Sequence, residues 1–437
     1  VLNAVFVALV LLSVLVAAFT GHMEAVSSGA LDSAKKSVEL ALGLVGAMSL
    51  FMGLMRVAQD GGMLRLIARS AAPVMRRLFP EVPEDHPAMS AMILNIASNV
   101  LGLGNAATPF GIRAMQELDK LNPVKGTATN AMVLFLAINT SGLAILPTGV
   151  VALRAAAGSK DPAGIFATTW FASGCATLVA ILAATLLAKL PRYRASDPGA
   201  VPEAADSAGA GPVPEIAAEP ARTPPRFGGW IAALYSAAIV VAVAIHFGRS
   251  SDTPGWADTA RGVLSFWMIP LLVGGLVLFG WVRGVKVYES LVEGAREGFQ
   301  VALRIIPYLV AILVAVGMFR ASGCLDLFVA ALAPVTSPLG LPAEAVPMAV
   351  LRPLSGSGAY GVMSEILSTH GADSYLGYLV STMQGSTDTT FYILAVYFGA
   401  VGIKKTRHAV PAGLLADAAG ISAAVFICHV VWGHLVP

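Results

Sequence analysis

Long apolar runs and short polar interruptions alternate along this chain, and the interruptions carry most of the information. Nearly charge-free runs fall at about residues 2–19, 38–55, 166–187, 230–245, 263–282, 301–319 and 410–432, each close to the length that crosses a bilayer as a helix. Two more, at 130–153 and 376–401, are long enough to span but carry polar interruptions. Four breaks stand out. The first half has 99–109 (Asn-Val-Leu-Gly-Leu-Gly-Asn-Ala-Ala-Thr-Pro) and 137–142 (Ala-Ile-Asn-Thr-Ser-Gly), the latter followed by Pro147 and Thr148. The second half has 352–358 (Arg-Pro-Leu-Ser-Gly-Ser-Gly) and 384–390 (Gln-Gly-Ser-Thr-Asp-Thr-Thr). Lipid tolerates unwound backbone only where protein buries it or a polar cavity solvates it. Paired breaks at corresponding positions of two halves therefore predict a midplane binding site of the kind transporters build.

The halves repeat each other. Gly62, Leu64, Leu66 and Pro73 recur as Gly323, Leu325, Leu327 and Pro334 at a constant offset of 261, and Gly102 and Gly104 recur as Gly356 and Gly358. Between the halves, residues 196–226 turn to Pro, Ala, Gly and acidic residues without apolar periodicity, which predicts a disordered tether. The expected organisation is a first membrane half over 1–195, a linker over 196–226 and a second membrane half over 227–437. Reading the first break of each half as a re-entrant hairpin gives about nine spanning helices plus two hairpins in an inverted repeat: an all-α, polytopic, transporter-like fold.

Charge placement agrees with that count. With the N-terminus cytoplasmic, basic residues such as Arg56, Arg65, Arg69, Arg76, Arg77, Lys120, Lys189, Arg192, Arg194, Lys404 and Lys405 gather on one face, and few reach the other. Residues 62–79 place Leu64, Ile67, Ala71 and Met75 opposite four arginines, which predicts an amphipathic helix lying in the headgroups. The first run lacks a basic leader and is read as a first spanning helix rather than a signal peptide.

Composition then narrows the class. With 56% hydrophobic and 12% charged residues and a mean hydropathy of +0.75, the chain is an integral membrane protein, with an inner-membrane location expected. A net charge of +2 argues for no nucleic-acid partner; the expected partners are the bilayer and a small polar solute, and assembly as a homo-oligomer stays open. Cys175, Cys324 and Cys428 stand singly in apolar segments, so neither a disulfide nor a metal site is expected. No GxxxxGKS/T, HExxH or GxSxG pattern occurs, and no enzyme is predicted.

The candidate site is drawn from the breaks: Asn99, Gly104, Asn105, Asn139, Thr140, Ser141, Arg352, Ser355, Ser357, Gln384, Ser386, Thr387 and Asp388. Most are neutral donors and acceptors suited to hydroxyls, amides or a partly dehydrated cation, although small polar residues also serve plain helix packing in lipid. Asp388 is the most pointed of them, because a carboxylate at membrane depth must be paired, protonated or bound to a cation. It is expected to hold a coupling ion, a proton or sodium, with Ser386, Thr387 and Thr389 beside it. The alternative is a helix N-cap for the following apolar run. Arg352 is the expected countercharge, or an anchor for an anionic group. No other cofactor is expected.

These same stretches resemble a known family, the bacterial spore maturation proteins A and B, here joined in one chain. The first half is similar to protein A through 85–89, 95–109, 135–141 and 152–158; the second is similar to protein B through 352–361, 381–394 and 402–405. The resemblance implies the nucleoside recognition, or Gate, domain shared with concentrative nucleoside carriers and with the membrane part of ferrous iron transporters. It implies a transporter-like fold with paired hairpins, and its name suggests nucleosides. Together these readings predict alternating-access movement of a small polar solute. The rivals are a non-transporting scaffold in spore or envelope maturation, a translocase for lipid precursors and a passive channel.

Overall fold

The computed structural model describes residues 2–102, 107–198, 225, 227–248, 267–336 and 340–435. Most of the expected linker, 199–224 and 226, lies outside these. Among the described residues the fold is helical, with no strand and a single isolated bridge, Thr127 to Lys405.

The first half runs through α1 (Leu2–Thr20), α2 (Met23–Asp60), α3 (Met63–Leu78), α4 (Pro87–Val100), α5 (Thr108–Lys120), α6 (Asn130–Thr140), α7 (Thr148–Ala156), α8 (Phe166–Ala188) and the short α9 (Pro191–Arg194). The second runs through α10 (Gly228–Gly248), α11 (Met268–Val282), α12 (Val287–Ala321), α13 (Cys324–Thr336), α14 (Val346–Leu354), α15 (Gly356–His370), α16 (Tyr375–Ser386), α17 (Thr390–Gly399) and α18 (Ala409–Trp432). From α2 to α8 and from α12 to α18, each half lists the same seven kinds of element in the same order. Gly62 and Gly323, aligned by the sequence offset, both sit in the left-handed region, at φ 82° and 80°. Both turn a long helix into a short one that contains a proline, Pro73 in α3 and Pro334 in α13. Only glycine adopts that conformation without a steric penalty, which is why this identity stands out in the sequence.

Equivalent helices pack against each other in opposite directions. Along α2 and α12, Gly29 meets Ala321, Ser33 meets Gly317, Met48 meets Gly298, and Gly53 meets Leu291. One number rises as the other falls, so the pair is antiparallel. A Cβ on Gly294 would lie 2.6 Å from the Met52 carbonyl oxygen, so the backbones touch directly, as small residues allow in lipid. On α8, Ala172, Ala176, Ala180 and Ala184 form a buried stripe at four-residue spacing, matched on α18 by Ala412, Ala416, Gly420 and Ala424. Gly420 lies against Ala176, and the Phe171 and Phe426 rings stand 6.2 Å apart, so this pair is antiparallel too.

Among the described residues, three helices are long and apolar enough to cross a bilayer: 166–188, 228–245 and 409–435. The sequence reading expected about nine. Shorter apolar helices at 6–20, 130–140 and 269–282 accompany them, and the runs around the breaks are divided into half-helices. The helices α2 and α12, 38 and 35 residues long, carry apolar runs at 38–55 and 301–319 and continue past them into charged turns. At 1.5 Å per residue α2 is about 57 Å long, well beyond the hydrocarbon core. Large apolar side chains face outward on the spanning helices, among them Trp230 (81% exposed), Leu178 and Val430. An apolar exterior of this extent is a surface for lipid. The protein is membrane-embedded.

Helix α3 forms as the sequence predicts, with Leu64 and Met75 buried and Arg76 and Arg77 in its last turn. The hydrophobic core lies in two main clusters. One is centred on Leu153, Phe166, Met348 and Leu379, the other on Met92, Phe135, Phe398 and Ala412. Each draws residues from both halves.

Candidate functional site

The second break of the first half, 141–147 between α6 and α7, crosses the second break of the second half, 387–389 between α16 and α17. The Asp388 amide donates to the Thr140 carbonyl at 2.8 Å. Gly142, at φ 58°, lies so close that a Cβ there would be 2.5 Å from the Thr387 carbonyl carbon. Each crossing break also holds the first break of its own half. In the first half the Ile145 amide donates to the Val100 carbonyl at 2.9 Å, and Gly102, at φ 78°, abuts Leu146. In the second half Arg352 donates to the Thr387 carbonyl and to Thr389 Oγ1, and Gly356 abuts Thr389. The four breaks thus form one junction.

Eight half-helices end at this junction, and the chain sets the ends there by local chemistry. Thr129 and Ser374 cap the outer ends of the equivalent helices α6 and α16, accepting from the Met132 and Gly377 amides. At the inner ends, α4, α6, α14 and α16 terminate, while α5, α7, α15 and α17 begin. Carbonyl ends and amide ends of half-helices therefore converge, presenting partial charges of both signs. The first break of the second half is shorter than its sequence suggests: Ser355 alone separates α14 from α15, in extended conformation, and its hydroxyl caps α15 by accepting from the Gly358 amide. Ser357 Oγ lies 3.5 Å from Ser355 Oγ.

A polar network joins the halves on the side of α4 and α6. Asn99 donates to Asn139 Oδ1 at 2.8 Å, Tyr397 donates to the same oxygen at 3.3 Å, and Asn95 donates to the Tyr397 hydroxyl at 3.1 Å. Gly111 makes room for that tyrosine. On the other side Gln384 reaches the Tyr360 hydroxyl, which sits against Gly149. The hydroxyls of Thr140, Ser141 and Ser386 turn back onto their own helix carbonyls, the usual habit of Ser and Thr within helices. Ser141 also meets Thr177 of α8. Gly104 and Asn105 lie outside the described residues.

Asp388 is exposed between Thr387 and Thr389, which are 2% and 4% exposed. Its Oδ1 accepts from the Thr389 amide. It does not cap α17 in the usual way, because Thr389 occupies the N-cap position. Arg352 is 5% exposed and spends its bonds on the neighbouring backbone and Thr389 rather than on the Asp388 carboxylate.

Three features of the site were missed by sequence reasoning. Tyr397 and Tyr360 bind polar break residues from distant segments, which spacing cannot show. Asp417 lies mid-helix in α18 at 2% exposure, accepting from Thr390 at 2.6 Å; a single acid in a long apolar run leaves little trace in an average.

Two buried arginines lock the halves together away from the junction. Arg154 of α7, with a fully buried side chain, donates to the Ala372 carbonyl, Ser381 and Asp373 of the second half and lies over the Tyr378 ring at 4.4 Å. Arg407, just before α18, donates to the Ala128 carbonyl, Asn130 and the Tyr193 carbonyl of the first half and to Asp197 at the start of the linker. Each clamp grips the capped start of the other half's α6 or α16. Beside the second clamp, burial first and the Arg407 charge next push His408 down to about 4. A cleft of about 370 Å³ lies at this end too, lined by Phe79, Glu81, Asn130, Ala184 and Lys189, apart from the junction. Burial and nearby Asp197 raise the Glu81 carboxyl there.

Paired broken helices that meet inside an apolar, membrane-embedded bundle define the class. The chain belongs to the nucleoside recognition (Gate) family, which it matches over residues 41–157 and 302–404. It is 50% identical over 170 residues to Spore maturation protein B of Bacillus subtilis (strain 168), covering 39% of this chain and 96% of that protein. It is 36% identical over 197 residues to Spore maturation protein A of the same organism, covering 45% of this chain and 98% of that protein. The two matches fall on different parts of the chain. No solved structure matches it.

Proposed function

We propose that the protein is an inner-membrane transporter that moves a small polar solute, nucleoside-like or related, by alternating access. The observation that carries this reading is the junction itself: four breaks from two halves, with a buried arginine, an exposed carboxylate and two networked asparagines at one place. Lipid tolerates unwound backbone only where protein buries it or a polar cavity solvates it, and broken helices that meet in this way are the arrangement transporters use to build a binding site. The antiparallel pairing of α2 with α12 and α8 with α18 supports an inverted repeat, since equivalent helices of oppositely oriented halves must run in opposite directions; the N-terminus is placed on the cytoplasmic side because the basic residues then gather there. Two such halves can rock about the junction while the clamps exchange partners. Asp388, the exposed carboxylate, is the contact for a coupling proton or sodium ion, and Arg352 the contact for a polar or anionic group of the solute.

The scaffold reading draws support from the same packing, because Gly142, Gly356 and Gly102 lie directly against Thr387, Thr389 and Leu146 and several hydroxyls are already engaged within their helices. Thermal unfolding of the purified chain with nucleosides, nucleobases and cations separates the two. A ligand at about a hundred times its Kd adds ~2.7 kcal/mol to the form that binds it. The transporter reading expects a raised Tm with at least one solute, uptake of that solute into liposomes, and altered ion dependence in Asp388→Asn. No shift with any solute and no uptake would favour the scaffold.

A further inference from the structure

The face of α18 that meets the junction is cut away to the backbone. A Cβ on Gly413 would lie 2.7 Å from Thr390 Cγ2, with Thr140 Oγ1 next to it, and a Cβ on Gly420 would lie 2.5 Å from Thr387 Cγ2. Asp417 stands between these glycines, one turn from each, and so points at the same crossing of breaks. Its Oδ2 is 2.6 Å from Thr390 Oγ1, while its Oδ1, equally buried, has no hydrogen-bond partner among the described residues, and neither has the buried Thr387 Oγ1 nearby. A carboxylate held this way at membrane depth is left largely uncompensated.

The groups that face it leave it so. Arg352 of α14 and Asp388 of the α16–α17 break act on it from a distance and with opposite sign, and neither bonds to it. Helix α6 brings no ionisable side chain, and α8 brings only Cys175. The ionisable groups of α16 and α17 are the phenols of Tyr375, Tyr378, Tyr392 and Tyr397. On α18 itself Cys428 and His429 lie about three turns away. Among the described residues Thr390 is the one direct partner, and a hydroxyl can donate to a carboxylate or accept from a carboxylic acid across the same distance. It therefore accommodates both protonation states without moving.

We propose that Asp417 is a proton-carrying group: it takes up a proton at the junction as a carboxylic acid bonded to Thr390 and releases it as a carboxylate. Its use in coupling rests on the transporter reading above, but its presence is tested without any solute. Infrared difference spectra of the full chain in nanodiscs, titrated from alkaline to mildly acidic buffer, should show the carbonyl stretch of a protonated carboxylic acid that shifts in deuterated buffer. Asp417→Asn should abolish that band, Asp388→Asn should retain it, and Thr390→Val, which removes the partner and spares the acid, should shift it. The proposal is overturned if the band is absent from the native chain, survives in Asp417→Asn, or is unmoved in Thr390→Val, the variant that decides the matter should Asp417→Asn not fold. Loss of the band on adding sodium at constant pH would also overturn it, assigning the carboxylate to a metal cation. Absence of solute flux with the band present refutes the transporter and leaves the proton site standing.

Discussion

Replacing Arg154 with alanine is expected to destabilise the protein by about 3–5 kcal/mol, because several buried acceptors lose their donor at once, at roughly 1–3 kcal/mol each. The guanidinium is fully buried and serves Asp373, Ser159, Ser381 and the carbonyls of Ala372 and Asp161 at once. Asp373 is further held by Ser159 and by the Lys160 amide, so the carboxylate keeps some partners while the carbonyls lose theirs. Because total stabilities are commonly ~5–15 kcal/mol, this single change removes a large share. Arg154→Lys should fall between, since an ammonium cannot reproduce the planar fork that reaches several acceptors. Arg69→Ala, an exposed site on α3, should change nothing measurable. Thermal unfolding in detergent ranks the three, and an Arg154→Ala protein as stable as the native one would remove the clamp from the account.

Gly142→Ala is expected to open the junction. Two effects act together at this residue. The left-handed φ of 58° costs a non-glycine residue about 1–2 kcal/mol, and the added carbon would lie 2.5 Å from a backbone atom that cannot swing away. Thr387 must then move, and with it the Asp388 amide bond to Thr140. Gly158→Ala separates the two effects, because Gly158 has a φ of 77° but nothing within 4 Å of its added carbon. The expected outcome is a small loss of Tm for Gly158→Ala. For Gly142→Ala a much larger loss is expected, together with loss of any solute-induced stabilisation. Equal effects would mean that the crossing of the breaks is loosely packed.

Much of this architecture was legible in the sequence because it rests on residues with narrow conformational roles. Gly62 and Gly323 announce the same left-handed turn, and the polar breaks announce themselves against apolar runs, since lipid penalises unwound backbone. The amphipathic pattern of α3 is equally local. Less legible was what depends on distance. Asn95 and Tyr397 lie 302 residues apart, and Arg154 and Asp373 lie 219 apart; nothing in their spacing couples them. The lengths of α2 and α12 were understated because an apolar window stops at the first charged turn, whereas the helix continues into a polar environment. The single-residue break at Ser355 was overstated for the opposite reason: Gly356, Ser357 and Gly358 look like loop residues but begin a helix once Ser355 caps it. Asp417 was concealed by the apolar residues around it, and Asp388, the acid that looked buried, is the exposed one.

The most direct measurement is a crosslink between the halves at the breaks. Pro147 lies in the second break of the first half and Gly385 just before that of the second; a Cβ on Gly385 would lie 3.5 Å from Pro147 Cβ, at the near edge of the disulfide range. Pro147→Cys and Gly385→Cys are combined with alanine at Cys175, Cys324, Cys428 and at Thr169, whose methyl group occupies the path. A protease site placed between the halves then reports their connection on a non-reducing gel. The account predicts that, after mild oxidation and cleavage, the halves migrate together until reductant is added. Halves that separate without reductant would show that the breaks do not meet, and the shared site would be lost with them.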